Sequence, residues 1–438
     1  MQICKKAIGF PQRPICIARL AADRVMQKVI IRDRRKIPPF NEPARDLRIL
    51  NKPLWLLQRD VLGPYCDLEI EVDSIQQLQA DPREMIVYRD NLYFDQHLIG
   101  AFLSKAVASR RACQIAFSLN DKAITTHALP LQEGIRRKGD VYVADMWYLP
   151  NGYEENAYPL VVDTEPRELG YYHIPTYMAA SRGDLVFQIP TRPFLSIENW
   201  VHVFMANSPF GVFAIGNRVE KSLDRWYVKL RILLRALIER KQLLSCSYMV
   251  KVGKNTHIDP TAIVQGPTII GDNVDIGAGC MISNCIIGNN VNIMHGAQLL
   301  LSVVGDGSFL PFRGSLFMST LMENAMVAQN STLQYCVIGR NTFIGANVTF
   351  TDFNLLSQPL RTMHGSTLNE VGLPILGGCI GHNCRIGAGL VFYPGRIVES
   401  DTVLVRSDKR AVITKNVSYE ESDHHHLRRG QHPRQYPR

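Results

Sequence analysis

Histidines in the second half of the chain are the first candidates for chemistry, because an imidazole can accept and donate a proton near neutral pH. His295 lies in NIMHGAQ, at a turn where the surrounding sequence normally reads Gly-x-Gly. His364 lies in a longer connecting segment, and His382 opens the stretch that follows it. Taken alone, each of the three is typical of a surface turn residue, and the alternative is that one of them acts as a general base. Together with His257 they lack the spacing of a three-histidine zinc site, so no metal site is predicted.

The elements that position these histidines belong to a chain of ordinary globular composition. It has 438 residues, 46% hydrophobic and 20% charged, which indicates two or three domains. There is no uncharged apolar run of about 18 residues that would predict a membrane span, and the first residues do not resemble a secretory signal. Ten dispersed cysteines without a CxxC pair predict reduced thiols and a cytoplasmic protein. The net charge of +9 is expected to be solvated, and no nucleic-acid partner is predicted.

A six-residue period organises the second half of the chain. One aliphatic residue in six would point into a narrow prism, while Gly and Asn serve its corners. This hexapeptide pattern predicts a parallel β-helix over 257–405, interrupted by a loop at 353–376 where the period fails. A sandwich of short strands is the alternative, and the strict spacing argues against it. The anchors are Ile258, Val264, Ile270, Ile276, Ile282, Ile287, Ile293, Leu299, Val304, Leu310, Leu316, Met322, Ala328, Ile338, Ile344, Phe350, Ile380, Ile386, Phe392, Val398 and Leu404.

The remaining segments frame this repeat. Residues 26–215 mix β-like and helical stretches, which predicts an α/β domain. Residues 219–246 have helical periodicity with one broad apolar face, and we expect a linker helix that packs on a neighbouring domain. A basic amphipathic helix on an anionic membrane surface is the alternative. Residues 1–25 are interpreted as an N-terminal extension and 417–438 as a disordered basic tail. The broad face of 219–246 comprises Leu223, Trp226, Leu230, Leu234, Leu237 and Ile238.

This order of segments resembles that of the bifunctional sugar-1-phosphate uridylyltransferase/N-acetyltransferases and their sugar-nucleotidyltransferase-like relatives. FNEPARDLRILNKPLWLLQRDVL and MIVYRDNLYFDQHLIGAFL are similar to segments of a divergent branch of that group. The resemblance covers about residues 26–405. It implies a nucleotidyltransferase-like α/β domain, a left-handed β-helix and a homotrimer. It also implies Mg²⁺-dependent nucleotidyl transfer in the first domain and transfer of an acetyl group from acetyl-CoA to a sugar amine at sites between subunits.

The resemblance also assigns the position of the base for acyl transfer. In the family, a histidine stands about ten residues before an Ile-Gly step. Counting back from Gly339 places Gln329 in that position. Because glutamine cannot act as a base, His295 or His364 would have to supply one, from the same chain or from a neighbouring chain of the trimer.

Four further residues are candidates for substrate or CoA contacts. Asp352 and Asn354 lie where the family carries a polar residue that binds the acceptor. Arg361 in the loop and His382 after it complete the set.

Nucleotidyl transfer needs a glycine-rich loop whose amides approach the triphosphate. The first 99 residues contain only Gly9 and Gly63. The sequence 51–54, Asn-Lys-Pro-Leu, resembles the family's Gly-Lys-Pro-Leu with Asn in place of Gly. Arg45 or Lys52 could still contact a phosphate. We expect that the first domain has lost nucleotidyl transfer, and Mg²⁺ is implied only if that domain is active.

Two functions therefore remain open. The first is a sugar-nucleotide or amino-sugar transferase-like protein, with acetyl-CoA along the β-helix. The second is a catalytically silent trimeric scaffold or binding protein, whose ligand is a nucleotide sugar or CoA or whose surface contacts a membrane. Measurements of CoA binding and of catalytic turnover would separate these two functions.

Overall fold

A computed structural model describes residues 26–78, 81–173, 184–354, 359–427 and 432–438. The proposed N-terminal extension at 1–25 lies outside the described residues. The chain forms an α/β domain and a parallel β-helix. The prism of the β-helix has its own apolar core, and a second apolar cluster, here called the shared core, joins face 1 of the prism to the α/β domain.

A mixed seven-stranded sheet forms the centre of the α/β domain. Its strands are β1 (Met26–Ile31), β2 (Cys66–Val72), β3 (Met85–Arg89), β4 (Cys113–Ser118), β5 (Ile135–Lys138), β6 (Val141–Leu149) and β7 (Tyr158–Val161). The order across the sheet is β7-β4-β6-β3-β1-β2, and β5 forms a hairpin with β6. Strand β6 runs antiparallel to both of its neighbours β4 and β3, whereas the other pairs along the order are parallel. Strand β1 is buried along its whole length because it lies inside the sheet.

Five α-helices of the described chain surround this sheet or follow it. They are α1 (Leu54–Leu62), α2 (Gln96–Ser109), α3 (Trp200–Asn207), α4 (Ala214–Ser222) and α5 (Trp226–Glu239). Asp95 caps α2 by accepting hydrogen bonds from two backbone N–H groups of its first turn. Short two-stranded sheets complete the domain, pairing Lys36–Ile37 with Glu42–Pro43, Arg48–Ile49 with Lys52–Pro53, Leu92–Phe94 with Phe194–Ser196, and Pro166–His173 with Asp184–Pro190.

The β-helix has three parallel sheets of eight strands each in the described part of the chain, an arrangement that fits a left-handed β-helix. Face 1 contains Val250–Val252, Thr268–Ile270, Ile286–Ile287, Val303–Val304, Thr320–Leu321, Val337–Ile338, Cys379–Ile380 and Ile397–Val398. Face 2 contains His257–Ile258, Asp275–Ile276, Asn292–Ile293, Phe309–Leu310, Met326–Val327, Phe343–Ile344, Arg385–Ile386 and Val403–Leu404. Face 3 contains Ile263–Gln265, Met281–Ser283, Gln298–Leu300, Ser315–Phe317, Thr332–Gln334, Thr349–Phe350, Val391–Phe392 and Val412–Ile413. The β-helix thus extends beyond 257–405 at both ends.

Most predicted anchors fill the prism, but one coil was misaligned. Leu321, Val327 and Leu333 point into the prism core, rather than Met322 and Ala328. The reason is the coil length. Leu321 pairs with Val304, 17 residues earlier, so the chain makes its corner one residue sooner than a strict six-residue count allows. Met322 instead joins the core shared with the α/β domain.

The corners of the prism use left-handed backbone. Asn290 and Asn341 have φ of 55° and 56°, which asparagine tolerates. Leu301, Met318 and Tyr335 occupy equivalent corners of successive coils with φ of 51°, 44° and 52°. These three side chains are buried in the shared core, so burial against the α/β domain compensates for the strained backbone.

The α/β domain covers face 1. Helix α3 packs on the strand Val337–Ile338, and the Asn51 amide donates to the Val304 carbonyl at 2.8 Å. Arg340 makes a two-pronged ion pair with Glu42, at 2.9 Å and 2.5 Å. Among the described residues, none on the edge between faces 2 and 3 belongs to the shared core, whereas Phe317, at the end of a face 3 strand, packs against it.

The segment at 353–376 packs against the α/β domain. It carries a hairpin of Arg361–His364 with Thr367–Glu370. The Trp200 indole N–H donates to the Thr362 hydroxyl at 2.9 Å, and the Asn199 amide donates to the Met363 carbonyl at 2.7 Å. The period fails here because the chain leaves the prism to make this contact.

The described part of 417–438 is also held by specific contacts, in contrast to the disordered tail expected. Arg438 pairs with Glu399 at 2.5 Å, and Asp401 accepts the backbone N–H groups of Gln435 and Tyr436 at 2.8 Å and 2.6 Å. The buried carboxylate of Glu399 thus pairs with Arg434 and Arg438 of the described tail.

Candidate functional site

A surface pocket of about 350 Å³ lies on the edge between faces 2 and 3. This edge is opposite face 1, so the α/β domain leaves it open. Residues 295, 312 and 329 are spaced 17 apart and occupy the same corner of successive coils. The pocket therefore brings together His295 and Gln329, which the sequence had singled out separately. Its lining residues are His295, Phe312, Arg313, Gln329 and Asn330.

The backbone fixes the tautomer of His295. Its Nδ1 accepts a hydrogen bond from the Ala278 backbone N–H at 3.1 Å. In the neutral ring the proton must then be on Nε2, which becomes a donor. His295 as placed is thus a hydrogen-bond donor rather than a ready general base.

An aromatic contact and a cation complete the pocket. The rings of His295 and Phe312 are 6.0 Å apart with 30° between their planes. Arg313 donates its backbone N–H to the His295 carbonyl at 3.1 Å, and Asn330 bonds the Phe312 carbonyl in the same way at 3.2 Å. None of the five lining residues carries a carboxylate. The pocket suits a ligand that combines an anionic group with a flat or apolar part.

The first coils also carry a sequence signature. Residues 249–284 match the family described as bacterial transferase hexapeptide (six repeats). No curated protein sequence matches the chain. Together with the three parallel sheets, the match supports a hexapeptide-repeat transferase.

Phe312, Arg313 and Asn330 were missed by the sequence reasoning. The signal that could have found them is the coil length. Once coils are set at 17 residues, 312 and 329 fall on the same corner as 295.

The structure places the other candidates of the hexapeptide β-helix elsewhere. His364 is half-buried on the 361–370 hairpin, near His202 of the α/β domain. Arg361 pairs with Glu370 at 3.5 Å on the same hairpin. None of the residues from the 353–376 segment lines the His295 pocket of its own chain, as far as the described residues go.

Asp352 and Asn354 lie where the chain leaves the prism. Burial raises the pKa of Asp352. The Gln334 side-chain amide lies 2.9 Å from this carboxyl group and can donate to it once its nitrogen is turned toward Asp352. Asn354 is half-buried two residues further on.

His382 is buried between the two domains. Its Nδ1 accepts the Arg340 backbone N–H at 2.9 Å, and its Nε2 lies 3.1 Å from Glu42 Oε1. The rings of Phe40 and Tyr436 lie 5.0 Å and 4.8 Å away. Burial lowers the pKa of His382, although Glu42 opposes this. This histidine therefore has no exposed edge for a ligand.

Arg45 and Lys52 are already paired with carboxylates. Arg45 lies 3.2 Å from both Glu71 and Asp90, and Lys52 lies 2.5 Å from Asp60. Burial raises the pKa of Asp90 to about 6, although the Asp33 N–H and Arg45 favour its charged form. A triphosphate would have to displace these partners, and a hard cation would compete with arginine for Asp90. The residues present therefore do not fit a Mg²⁺–nucleotide site.

Metal-ligand groups, membrane-spanning helices and further cavities are other features that can indicate a function. No group of three or more His, Cys, Asp or Glu residues that could hold a metal ion occurs in the part of the chain that the structure describes. Over the same residues, no helix has the length and apolar character needed to cross a bilayer. A second cavity of about 950 Å³ lies at the first coil and is lined in part by Val250, Val264 and Ile270, which marks it as the open end of the prism.

Proposed function

We propose that the protein is an acyltransferase-like protein that binds an acyl-CoA-type thioester in the His295 pocket. The observation that carries the proposal is the convergence of His295, Arg313 and Gln329 in one pocket of a hexapeptide β-helix. The donor set fits CoA, whose phosphates are anionic and whose adenine is flat.

Each side chain has a role that follows from its chemistry. A bound thioester supplies an acyl carbonyl for attack. The Arg313 guanidinium holds an anionic group of the ligand. The protonated Nε2 of His295 donates to the acyl oxygen, where negative charge develops in the transition state. Gln329 orients the acceptor amine through its amide. The amine nitrogen forms the new C–N bond, the C–S bond of the thioester breaks, and CoA leaves as the thiolate. No described lining residue can take the amine proton, so it leaves to solvent.

A second candidate, binding without turnover, is favoured by two observations. His295 uses Nδ1 for the Ala278 N–H, and Gln329 occupies the position of the family's base. A pocket without a base can retain CoA affinity after losing catalysis. The acceptor in the active case is the amine of an amino sugar, and three chains form a homotrimer, as the resemblance implies.

Thermal unfolding with and without acetyl-CoA tests the proposal. A ligand at 100 times its Kd stabilises the native state by about 2.7 kcal/mol. We expect this shift in the wild type, its loss in Arg313→Gln, and its retention in Arg137→Gln, an exposed arginine on the distant β5–β6 hairpin. Absence of any shift in the wild type would contradict the proposal. UTP with Mg²⁺, added in place of acetyl-CoA, should leave the thermal midpoint of the wild type unchanged.

Release of free CoA thiol in the presence of an amino sugar separates the two candidates. The transferase candidate requires release above the rate without protein, reduced by about 10²-fold in His295→Ala if the imidazole stabilises the oxyanion. A CoA-dependent thermal shift without thiol release supports the binding candidate.

A further inference from the structure

Helix α5 has two apolar faces. A narrow stripe of Val228, Ile232 and Ala236 packs on Cys246 and Met249. The opposite side, here named the α5 outer face, points away from the protein. Its members are Trp226, Tyr227, Leu230, Leu233, Leu234, Leu237 and Ile238, all of them 45% to 76% exposed. Five of the six residues of the broad face expected to pack on a neighbouring domain are therefore uncovered, whereas the sixth, Leu223, packs against the buried cluster.

The apolar surface continues beyond the helix. The turn Leu243–Ser245 lies beside both α5 and the first strand of face 3, Ile263–Gln265. Leu243, Leu244 and Ile263 are about half exposed there. A contiguous apolar surface of this kind marks an interaction site rather than an ordinary solvated surface.

The charges that flank the α5 outer face decide which partner it fits. Between residues 225 and 241 the sequence has six Lys or Arg residues and one acidic residue, Glu239. Glu239 accepts the Ser247 N–H at 2.8 Å and is largely covered. Lys229 borders the outer face on one side, and Arg231 borders it on the other.

We propose that the α5 outer face docks on an anionic lipid bilayer, with the helix lying in the interface plane. Leucine and isoleucine side chains would enter the acyl boundary, while Lys229 and Arg231 extend to the lipid phosphates. Trp226 and Tyr227, at the start of the helix, are residues that prefer this interface. The complementary charge favours a lipid surface over a second copy, because a second α5 would bring like charges together.

Co-sedimentation with vesicles of phosphatidylcholine and phosphatidylserine tests the proposal. The wild type should bind these vesicles and not vesicles of phosphatidylcholine alone. Lys229→Glu/Arg231→Glu should lower the affinity roughly tenfold or more. Leu237→Gln/Ile238→Gln should lower it by at least as much, because it removes the inserted side chains. All four residues are exposed, so the variants should fold like the wild type, which their thermal midpoints check.

Matched controls change exposed residues far from α5. Arg137→Glu/Lys138→Glu on the β5–β6 hairpin and Leu368→Gln on the 361–370 hairpin should bind vesicles like the wild type. Failure of the wild type to bind anionic vesicles would overturn the proposal, as would equal binding to neutral vesicles. A third outcome would also overturn it. If light scattering shows an oligomer without lipid, and Leu237→Gln/Ile238→Gln dissociates that oligomer, then a second copy of the chain covers the α5 outer face.

Discussion

Two buried histidines of the α/β domain are held in the neutral form. Burial lowers the pKa of His127 to about 4, and its Nε2 accepts the Gln188 N–H at 3.0 Å. Burial also lowers the pKa of His202 to about 4, and its Nδ1 accepts two backbone N–H groups. In the unfolded chain both would have a pKa of about 6.5. Their contribution to stability is therefore complete above about pH 6.5 and is lost as the pH falls toward 4.

The variant His127→Gln isolates one of these contributions. Glutamine can still accept the Gln188 N–H but takes up no proton. Between pH 7 and pH 5 the free energy of unfolding should fall by about 2 kcal/mol less in the variant than in the wild type. Denaturant unfolding at the two pH values measures this difference. His257→Gln, which changes an exposed histidine, should keep the wild-type slope, and identical slopes for all three proteins would refute the assignment.

The corner at Leu301 tests how the prism joins the α/β domain. Leu301→Asn relieves a left-handed backbone by about 1 kcal/mol but removes buried apolar volume that typically contributes about 2–5 kcal/mol. We therefore expect a net loss of unfolding free energy of about 2 kcal/mol. In contrast, Asn290→Leu places leucine at an exposed corner. It should cost the backbone strain of about 1 kcal/mol and the exposed hydrogen bond that Asn290 Oδ1 accepts from the Asn273 amide. A stabilised Leu301→Asn would show that the corner is not packed as described.

The same corner shows what could and could not be predicted from the sequence. The prism core could be predicted because each inward residue recurs with a fixed period, independent of tertiary context. The corner residues could not be predicted, because the conformation of Leu301, Met318 and Tyr335 is favourable only once a second domain covers them. Only part of the His295 pocket could be predicted from the sequence, for a related reason. His295 stood out by residue type, whereas Arg313 gained meaning only from the coil length.

The burial of α5 could not be predicted either. Periodicity identifies an apolar face but not whether anything covers it. Helix α5 carries apolar residues on two sides, and the narrower set, Val228, Ile232 and Ala236, is the one that the protein buries. The order of strands in the α/β sheet depends on pairings between segments distant in sequence, which composition and periodicity do not specify.

For the whole molecule, the Arg340–Glu42 pair predicts how the two domains unfold. Both side chains are largely buried between the domains, so removing one partner leaves an uncompensated charge. Arg340→Met should lower the unfolding free energy by about 3 kcal/mol. All four tryptophans precede the β-helix, so their fluorescence follows the α/β domain and α5, whereas far-ultraviolet circular dichroism follows both domains.

In the wild type the two signals should change together, because an extensive apolar cluster spans both domains. In Arg340→Met the fluorescence transition should move to lower denaturant than the circular dichroism transition. Glu42→Gln/Arg340→Met should recover part of the loss, since no buried charge is left alone. Coincident transitions in Arg340→Met, with no loss of stability, would show that the ion pair does not couple the domains.

The position of the α/β domain restricts which surfaces copies of the chain can use to form a homotrimer. The α/β domain occupies face 1, so a homotrimer would have to use faces 2 and 3 and the edge that carries the His295 pocket. Met281 on face 3 is half exposed and suits such a contact. Light scattering at micromolar concentration should give three times the chain mass of 49.4 kDa, and Met281→Glu should give the monomer. Leu237→Gln/Ile238→Gln should remain trimeric, because α5 lies outside these faces. A wild-type monomer would refute the trimer, and the five pocket residues of one chain would then have to bind the ligand alone.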